Sequence, residues 1–250
     1  MRPALPLLLL LLSCLPRSPV HPKCAEYNDR CVVALANGAT EEAKVLCDHS
    51  LEWCAEYPDA WNNLGLVEER LGHDALAKDA FLKAIRLDQD HHQAHHNMGR
   101  MLMKERGFAR AAQEFQRALD VVPDYRDALE ALGVAQVNLG QLDLAEAQFH
   151  KLTLVHPDYA YGHYVYCAFL AQQSRPADAA PSCERAQLID PSLVPALQLL
   201  GALLVDLGRL EEAATYFRLC LDRDPSNSQC QESLERINQN LRLEPASRPE

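Results

Sequence analysis

The sequence predicts an all-α fold of six stacked helical hairpins and one capping helix, and three observations support this. Large, small and aromatic residues recur every 34 residues, prolines recur with the same spacing, and glycines recur between the two helices of each predicted pair. The first recurrence is seen when residues are compared in steps of 34. One repeat contains Trp61, Leu64, Gly65, Ala77, Phe81 and Ala84, and the next contains His95, Met98, Gly99, Ala111, Phe115 and Ala118 at the same positions. The same positions hold Leu129, Leu132, Gly133, Ala145, Phe149 and Leu152 one step further on, and Leu197, Leu200, Gly201, Ala213, Phe217 and Cys220 in the last repeat. The prolines are Pro123, Pro157, Pro191 and Pro225.

This pattern resembles the tetratricopeptide repeat, a pair of antiparallel helices with small residues at positions 8, 20 and 27 of each repeat. The resemblance implies a right-handed superhelix, because one hairpin cannot bury its apolar face alone and must stack on its neighbours. The predicted repeats span residues 24–57, 58–91, 92–125, 126–159, 160–193 and 194–227. A capping helix follows at 228–241, with Leu234, Ile237 and Leu241 on one stripe, and a disordered tail is expected at 242–250.

Glycines are expected to end the first helix of each hairpin at position 15, where a left-handed backbone conformation closes the turn. Five of the six hairpins are predicted to use glycine at this turn, and the fifth hairpin is predicted to use Arg175 instead. The glycines are Gly38, Gly72, Gly107, Gly140 and Gly208.

The N-terminus carries the pattern of an export signal. An arginine near the start precedes the apolar run from Leu7 to Leu12, which is too short to span a bilayer. Leu11-Leu12-Ser13-Cys14 resembles a lipobox, which implies a signal peptide at 1–13, acylation of Cys14 and a proline-rich tether at 14–23. The resemblance places the protein at the outer membrane, lipid-anchored and facing the periplasm. The alternative is an ordinary secretory signal cleaved between Ser18 and Lys23.

The cysteines fall on the 34-residue repeat. Setting Cys14 aside leaves eight of nine, an even number in an exported chain, which favours disulfides. Positions 8 and 24 face each other within a hairpin, and both are cysteines in the first and fifth repeats. The predicted bridges are Cys24–Cys54, Cys31–Cys47, Cys167–Cys183 and Cys220–Cys230. Small buried thiols and a zinc site are the alternatives, although zinc motifs use tighter Cys-x2-4-Cys spacing.

Charge and motifs argue against several classes of function. A net charge of −11 disfavours nucleic acid and electrostatic binding to anionic lipid. The run from His91 to His96 is interpreted as a solvated helix start whose imidazoles could respond to pH, rather than as a metal site. The carboxylates are expected at exposed positions. Because no nucleophile elbow, phosphate loop or dinucleotide fingerprint is present, we expect no enzyme activity, cofactor, metal or small-molecule substrate.

The expected working surface is the concave face formed by the first helices of the repeats. In the resembling family this face uses positions 2, 5, 9, 12 and 13. Its residues change from polar and charged in the early repeats to apolar and aromatic in the late ones, which is typical of a binding site for a peptide or helix. The candidate groove residues are Leu66, Arg100, Met103, Val134, Val137, Tyr161, Tyr164, Gln198 and Val205.

A lipid-anchored chain built almost entirely of such repeats is similar to the pilotins of type IV pili. That resemblance implies a protein that binds secretin subunits and assists their assembly or localisation in the outer membrane for pilus-dependent motility. Another envelope protein could occupy the same groove, which leaves a general scaffold for cell-wall enzymes as an alternative. A eukaryotic secretory-pathway repeat protein is a third interpretation, in which Cys14 is removed with the signal.

Overall fold

The computed structural model describes residues 21–243, with side chains described as far as residue 239. Thirteen α-helices and no strand occur in this range, which confirms the predicted all-α repeat fold. The helices are α1 Pro22–Ala36, α2 Thr40–Trp53, α3 Pro58–Arg70, α4 Asp74–Leu87, α5 His92–Lys104, α6 Phe108–Val121, α7 Arg126–Asn138, α8 Leu142–Val155, α9 Ala160–Gln172, α10 Pro176–Ile189, α11 Val194–Asp206, α12 Leu210–Arg223 and α13 Ser228–Leu243. None of the described helices is long and apolar enough to cross a bilayer.

The described residues divide into two compact units, the first ending at Ala94 and the second beginning at His95. In the first unit, α1 pairs with α2 and α3 pairs with α4. A small apolar cluster that includes Leu46 and Val67 joins α1, α2 and α3. In the second, α7 to α12 form three consecutive hairpins and α13 packs on α12. A larger cluster there includes Phe149, Phe169 and Phe217.

Most hairpins close by seating an aromatic ring against a glycine. A Cβ atom placed on Gly65 would lie only 2.5 Å from the ring of Phe81, and one on Gly201 only 2.8 Å from the ring of Phe217. Gly99 with Phe115 and Gly133 with Phe149 repeat the contact at 2.5 Å. The glycine is therefore required by packing, because any side chain would displace the ring.

The turns inside the hairpins differ from the prediction in two repeats. Gly38, Gly72, Gly140 and Gly208 adopt positive φ angles of 72° to 80°. In the third repeat it is Arg106 that has a positive φ of 58°, and in the fifth it is Ser174, at 56°. The prediction named Gly107 and Arg175, each one residue too late, because two repeats carry a non-glycine at position 15.

Two predicted boundaries are also corrected. Helix α1 begins at Pro22, inside the predicted tether, because proline suits the first turn of a helix and the His21 side chain accepts a hydrogen bond from the Lys23 backbone. Helix α13 continues to Leu243, two residues beyond the predicted cap. Cys14 and the predicted signal peptide lie outside the described residues.

The structure contains the four cysteine pairs that the sequence predicts. Cys31–Cys47 and Cys167–Cys183 each join the two helices of one hairpin, with Cα atoms 5.4 Å apart in both. Cys24–Cys54 lies in the first hairpin with a Cα separation of 5.9 Å, and Cys220–Cys230 links α12 to α13 at 6.5 Å. All eight cysteines except Cys54 are fully buried.

Candidate functional site: an uncharged groove on α9, α11 and α13

The second unit contains an open groove of about 450 Å³ between the exposed faces of α9 and α11 and the start of α13. Its described lining is uncharged and consists of Tyr164, Ala168, Ala171, Gln172, Pro195, Gln198, Leu199, Ala202 and Gln229. Two of the predicted groove residues, Tyr164 and Gln198, therefore line one surface.

The composition of the two first helices explains the character of this groove. Helices α9 and α11 together carry a single Asp, Glu, Lys or Arg, which is Asp206 at the end of α11. Their inner residues, such as Leu170 and Leu204, are buried in the core, while Ala202 and Val205 remain exposed. Helices that are apolar all round are usually covered on all sides, so the exposed face is suited to a partner.

A row of tyrosines continues from the groove toward α7. The rings of Tyr161 and Tyr164 lie 5.6 Å apart, and those of Tyr159 and Tyr161 lie 6.1 Å apart. The Tyr159 hydroxyl donates a hydrogen bond of 3.2 Å to Glu130, and the Arg126 guanidinium lies 4.7 Å from the Tyr159 ring. Burial, with the neighbouring Glu130 carboxylate, raises the pKa of Tyr159 to about 12.

Side-chain amides fix the other wall of the groove. Gln198 donates to Gln229 at 2.7 Å and accepts from Asn227 at 3.2 Å, which joins α11 to the start of α13. Asn227 also caps α13, since its side chain accepts from the Cys230 backbone at 3.0 Å. The Cys220–Cys230 bridge holds the same helix start covalently.

The other predicted groove residues have different surroundings. Tyr161, Val134 and Val205 are exposed, at 43%, 38% and 38% respectively. Arg100 and Met103 on α5 are half-buried, whereas Val137 packs against the apolar cluster of its unit. Leu66 belongs to the first unit and packs against the cluster there.

Four further lining residues stand at repeat positions 9, 12 and 13, which are expected to face the groove, namely Ala168, Ala171, Gln172 and Ala202. The sequence did not lead to Gln229, Pro195 or Leu199. Gln229 stands at position 2 if the 34-residue numbering continues past 227, as does Pro195 in the sixth repeat. Extending the repeat numbering into the capping helix would have found Gln229. Leu199 lies outside the positions used for the groove, and no pattern in the sequence indicates it.

One carboxylate of the first unit is buried, contrary to the expectation of exposed acids. The Glu68 side chain is 5% exposed and accepts hydrogen bonds from Lys44 and from His73, the latter at 2.7 Å. Burial opposes ionisation of Glu68, but these two partners outweigh it and lower its pKa. Glu68, near the end of α3, thus links α2 of the first hairpin to His73, which directly precedes α4.

The histidine run is not solvated as predicted. His91 is 6% exposed and His95 is 2% exposed. His91 directly precedes α5, and its Nδ1 accepts a hydrogen bond of 3.2 Å from the Ala94 backbone N–H. Because Nδ1 is the acceptor, the ring proton is on Nε2, which donates to Asp59 at 3.1 Å. In the second unit, His95 Nδ1 lies 2.7 Å from Glu114. These histidines hold helix ends and helix pairs together.

Comparison with protein families matches three segments to tetratricopeptide-repeat models, namely residues 58–91, 102–166 and 194–227. Two curated proteins align at 27% identity: a peptide N-acetylglucosaminyltransferase of Giardia intestinalis over 109 residues and the protein O-mannosyl-transferase Tmtc3 of Drosophila melanogaster over 155. The alignments take in 43% and 62% of this chain but only 7% and 13% of those proteins.

Among solved structures, PilF of Pseudomonas aeruginosa superposes with a TM-score of 0.75 at 20% identity, covering 86% of this chain and 97% of PilF. PilW, described as a widely conserved type IV pilus biogenesis factor, has a TM-score of 0.75 at 18% identity over 86% of this chain and 99% of PilW. The anaphase-promoting-complex assembly Cut9–Hcn1 scores 0.69 at 16% identity, but only 43% of that chain is covered. These likenesses concern the fold. With its matched segments and its helical hairpins, the chain is a tetratricopeptide-repeat protein.

Proposed function

We propose that this protein binds an envelope protein through the α9–α11–α13 groove and thereby assists assembly or localisation of a type IV pilus secretin. The observation that carries the proposal is the uncharged groove itself, which exposes tyrosine and alanine on α9 and α11, two helices whose single Asp, Glu, Lys or Arg is Asp206 at the end of α11. Exposed apolar surface of this kind is typical of protein-binding sites. The protein acts by binding rather than by catalysis.

Two further features support the pilus assignment. The folds of PilF and PilW match this chain over 97% and 99% of their own lengths, which supports a similar role for the whole repeat array. The buried cysteine pairs suit an oxidising compartment such as the periplasm. We propose that Cys14 carries the lipid that places the groove at the outer membrane.

The test is deletion of the gene in its source organism, followed by electrophoresis of membranes to detect heat-resistant secretin multimers. We expect the multimers and the surface pili to be lost and to return with the wild-type gene. A Cys14→Ser variant should be made in normal amounts yet fail to incorporate labelled acyl chains and fail to restore multimers. Normal multimers and pili in the deletion strain would defeat the secretin role.

A further inference from the structure

The hydrogen-bonding groups of the groove distinguish between two modes of peptide recognition. Gln198 lines the groove, and both ends of its amide are engaged, by Gln229 and by Asn227. Apart from these amides and that of Gln172, the lining is alanine, leucine, proline and tyrosine. The groove therefore offers few free partners to an incoming main chain.

An extended peptide would be poorly served by such a surface. Each of its residues brings one N–H and one C=O that must be paired or remain in water. Pressed against Ala168, Ala202 and Leu199, those groups would lose water without gaining a partner, which weakens binding. Breaking the Gln198 pairs to serve them would expose other unpaired amides.

A helical segment avoids this cost, because its main-chain groups bond to each other. Its apolar stripe can then meet the groove through side chains at i, i+3, i+4 and i+7. The small side chains of Ala168, Ala171 and Ala202 leave room for such anchors. Tyr164 and Leu199 provide apolar walls.

The charges beside the groove are mainly acidic. Asp206 is exposed at the end of α11, and Glu130 lies beyond Tyr159 on α7. The nearest cation on α7, Arg126, is occupied by Asp127 at 3.1 Å. On α13, Glu232 and Arg236 stand four residues apart, so that charges of opposite sign neighbour each other on the helix surface. The whole chain has a net charge of −11, so Lys or Arg beside the apolar stripe of a partner would complement the acidic residues beside the groove.

We propose that the groove binds an amphipathic helix of the partner, with an apolar stripe flanked by Lys or Arg, in preference to an extended peptide. This rests on the proposed function only in that the groove binds protein.

Peptides of equal composition test the mode of binding. Two blocked 14-residue peptides contain the same leucines and lysines, one with leucine at helical spacing and the other with strict alternation; a third replaces lysine by glutamate at helical spacing. Fluorescence anisotropy with the full-length protein should show the helical lysine peptide binding at least ~10-fold tighter than the alternating one. At low salt the helical lysine peptide should also bind more tightly than the helical glutamate peptide. Equal or tighter binding of the alternating or glutamate peptide would overturn the proposal.

Substitutions place the binding in the groove. Ala202→Lys fills the floor with a long charged side chain and should weaken binding of the helical peptide at least ~10-fold. Leu154→Lys, at a residue of α8 that is 66% exposed and does not line the groove, is the matched control and should leave the affinity unchanged. If Ala202→Lys melts early, Ala171→Gln serves as the second variant. A folded groove variant with wild-type affinity contradicts the proposal.

The same variant separates the two proposals in cells. Ala202→Lys should fail to restore secretin multimers in the deletion strain, whereas Leu154→Lys should restore them. If the helical peptide does not bind but multimers still require the protein, the helical mode fails and the secretin role stands. If the peptide binds through the groove but multimers never depend on the protein, the secretin role fails instead.

Discussion

At the scale of single residues, Glu68 shows how a buried charge is kept in this fold. Its carboxylate is 5% exposed, and desolvation alone would favour the neutral acid. Lys44 and His73 donate hydrogen bonds to its two oxygens and reverse that preference. Because Lys44 is itself 36% exposed, solvent screens part of the attraction.

We predict that Glu68→Gln lowers the free energy of unfolding by about 1–2 kcal/mol at neutral pH, because charge-assisted hydrogen bonds are lost. The folded-state pKa of Glu68 lies below its usual value of 4.5, so its contribution is complete above about pH 4.5 and is lost as the pH falls further. In urea unfolding measured between pH 7 and pH 3, the free energies of unfolding of the wild-type protein and of Glu68→Gln should therefore converge at low pH. The exposed Glu56 supplies the control Glu56→Gln, and a difference that persists unchanged at pH 3 would contradict the assignment.

The contact between glycine and phenylalanine supports a second prediction at this scale. A methyl group at Gly133 would lie 2.5 Å from the Phe149 ring, so Gly133→Ala should destabilise the protein by about 1–3 kcal/mol. Replacing the ring by the smaller leucine side chain in Gly133→Ala/Phe149→Leu should recover part of that loss of stability. A double-mutant cycle of urea unfolding measures this coupling between the two positions. Additive effects of the two substitutions would mean that the ring is not what opposes the methyl group.

At the scale of the element, two hairpins replace this contact with a covalent bond. Cys167 and Cys183 occupy the positions that hold Gly201 and Phe217 in the next repeat, and Cys31 and Cys47 do the same in the first. In each case a link forms between the middle of the first helix and the middle of the second. The disulfide thus stands in for the aromatic side chain that the hairpin lacks.

We therefore predict that Cys167→Gly/Cys183→Phe is more stable than Cys167→Ala/Cys183→Ala. The alanine variant loses a bridge that closes a separation of 16 residues, at a cost of about 3 kcal/mol, and leaves a cavity. The glycine–phenylalanine variant refills that space. Thermal unfolding without reductant compares them, and equal losses in both variants would show that this hairpin cannot accommodate a ring.

The elements were predictable to different degrees, for identifiable reasons. The 34-residue period indicated which residues of a hairpin face each other, so the partners of Cys31 and Cys167 could be named from sequence. It did not indicate the burial of Glu68 or His91, because their partners depend on side-chain directions in neighbouring helices. Six of the nine residues that line the groove stand at repeat positions 5, 9, 12 or 13, whereas Leu199 stands at position 6, which the pattern does not indicate.

At the scale of the whole molecule, the bridges are all local in sequence. Cys24–Cys54 and Cys31–Cys47 restrain the first hairpin, Cys167–Cys183 restrains the α9–α10 hairpin, and Cys220–Cys230 restrains α13. The hairpins α3–α4 and α7–α8 contain none and close through Gly65–Phe81 and Gly133–Phe149. In repeat proteins stability is approximately a sum of hairpin and nearest-neighbour terms, so reduction should act where the bridges are.

The last prediction concerns hydrogen exchange across the chain. With reductant at neutral pH, amide protection should fall most in α1, α2, α9, α10 and α13, and least in α3, α4, α7 and α8. Exchange measured by mass spectrometry with and without reductant resolves these segments. The Cys167→Gly/Cys183→Phe variant is the internal control, because α9 and α10 should then lose their response to reductant while α1 and α2 keep it. A uniform loss of protection over all thirteen helices would instead mean that the repeats unfold as one cooperative body.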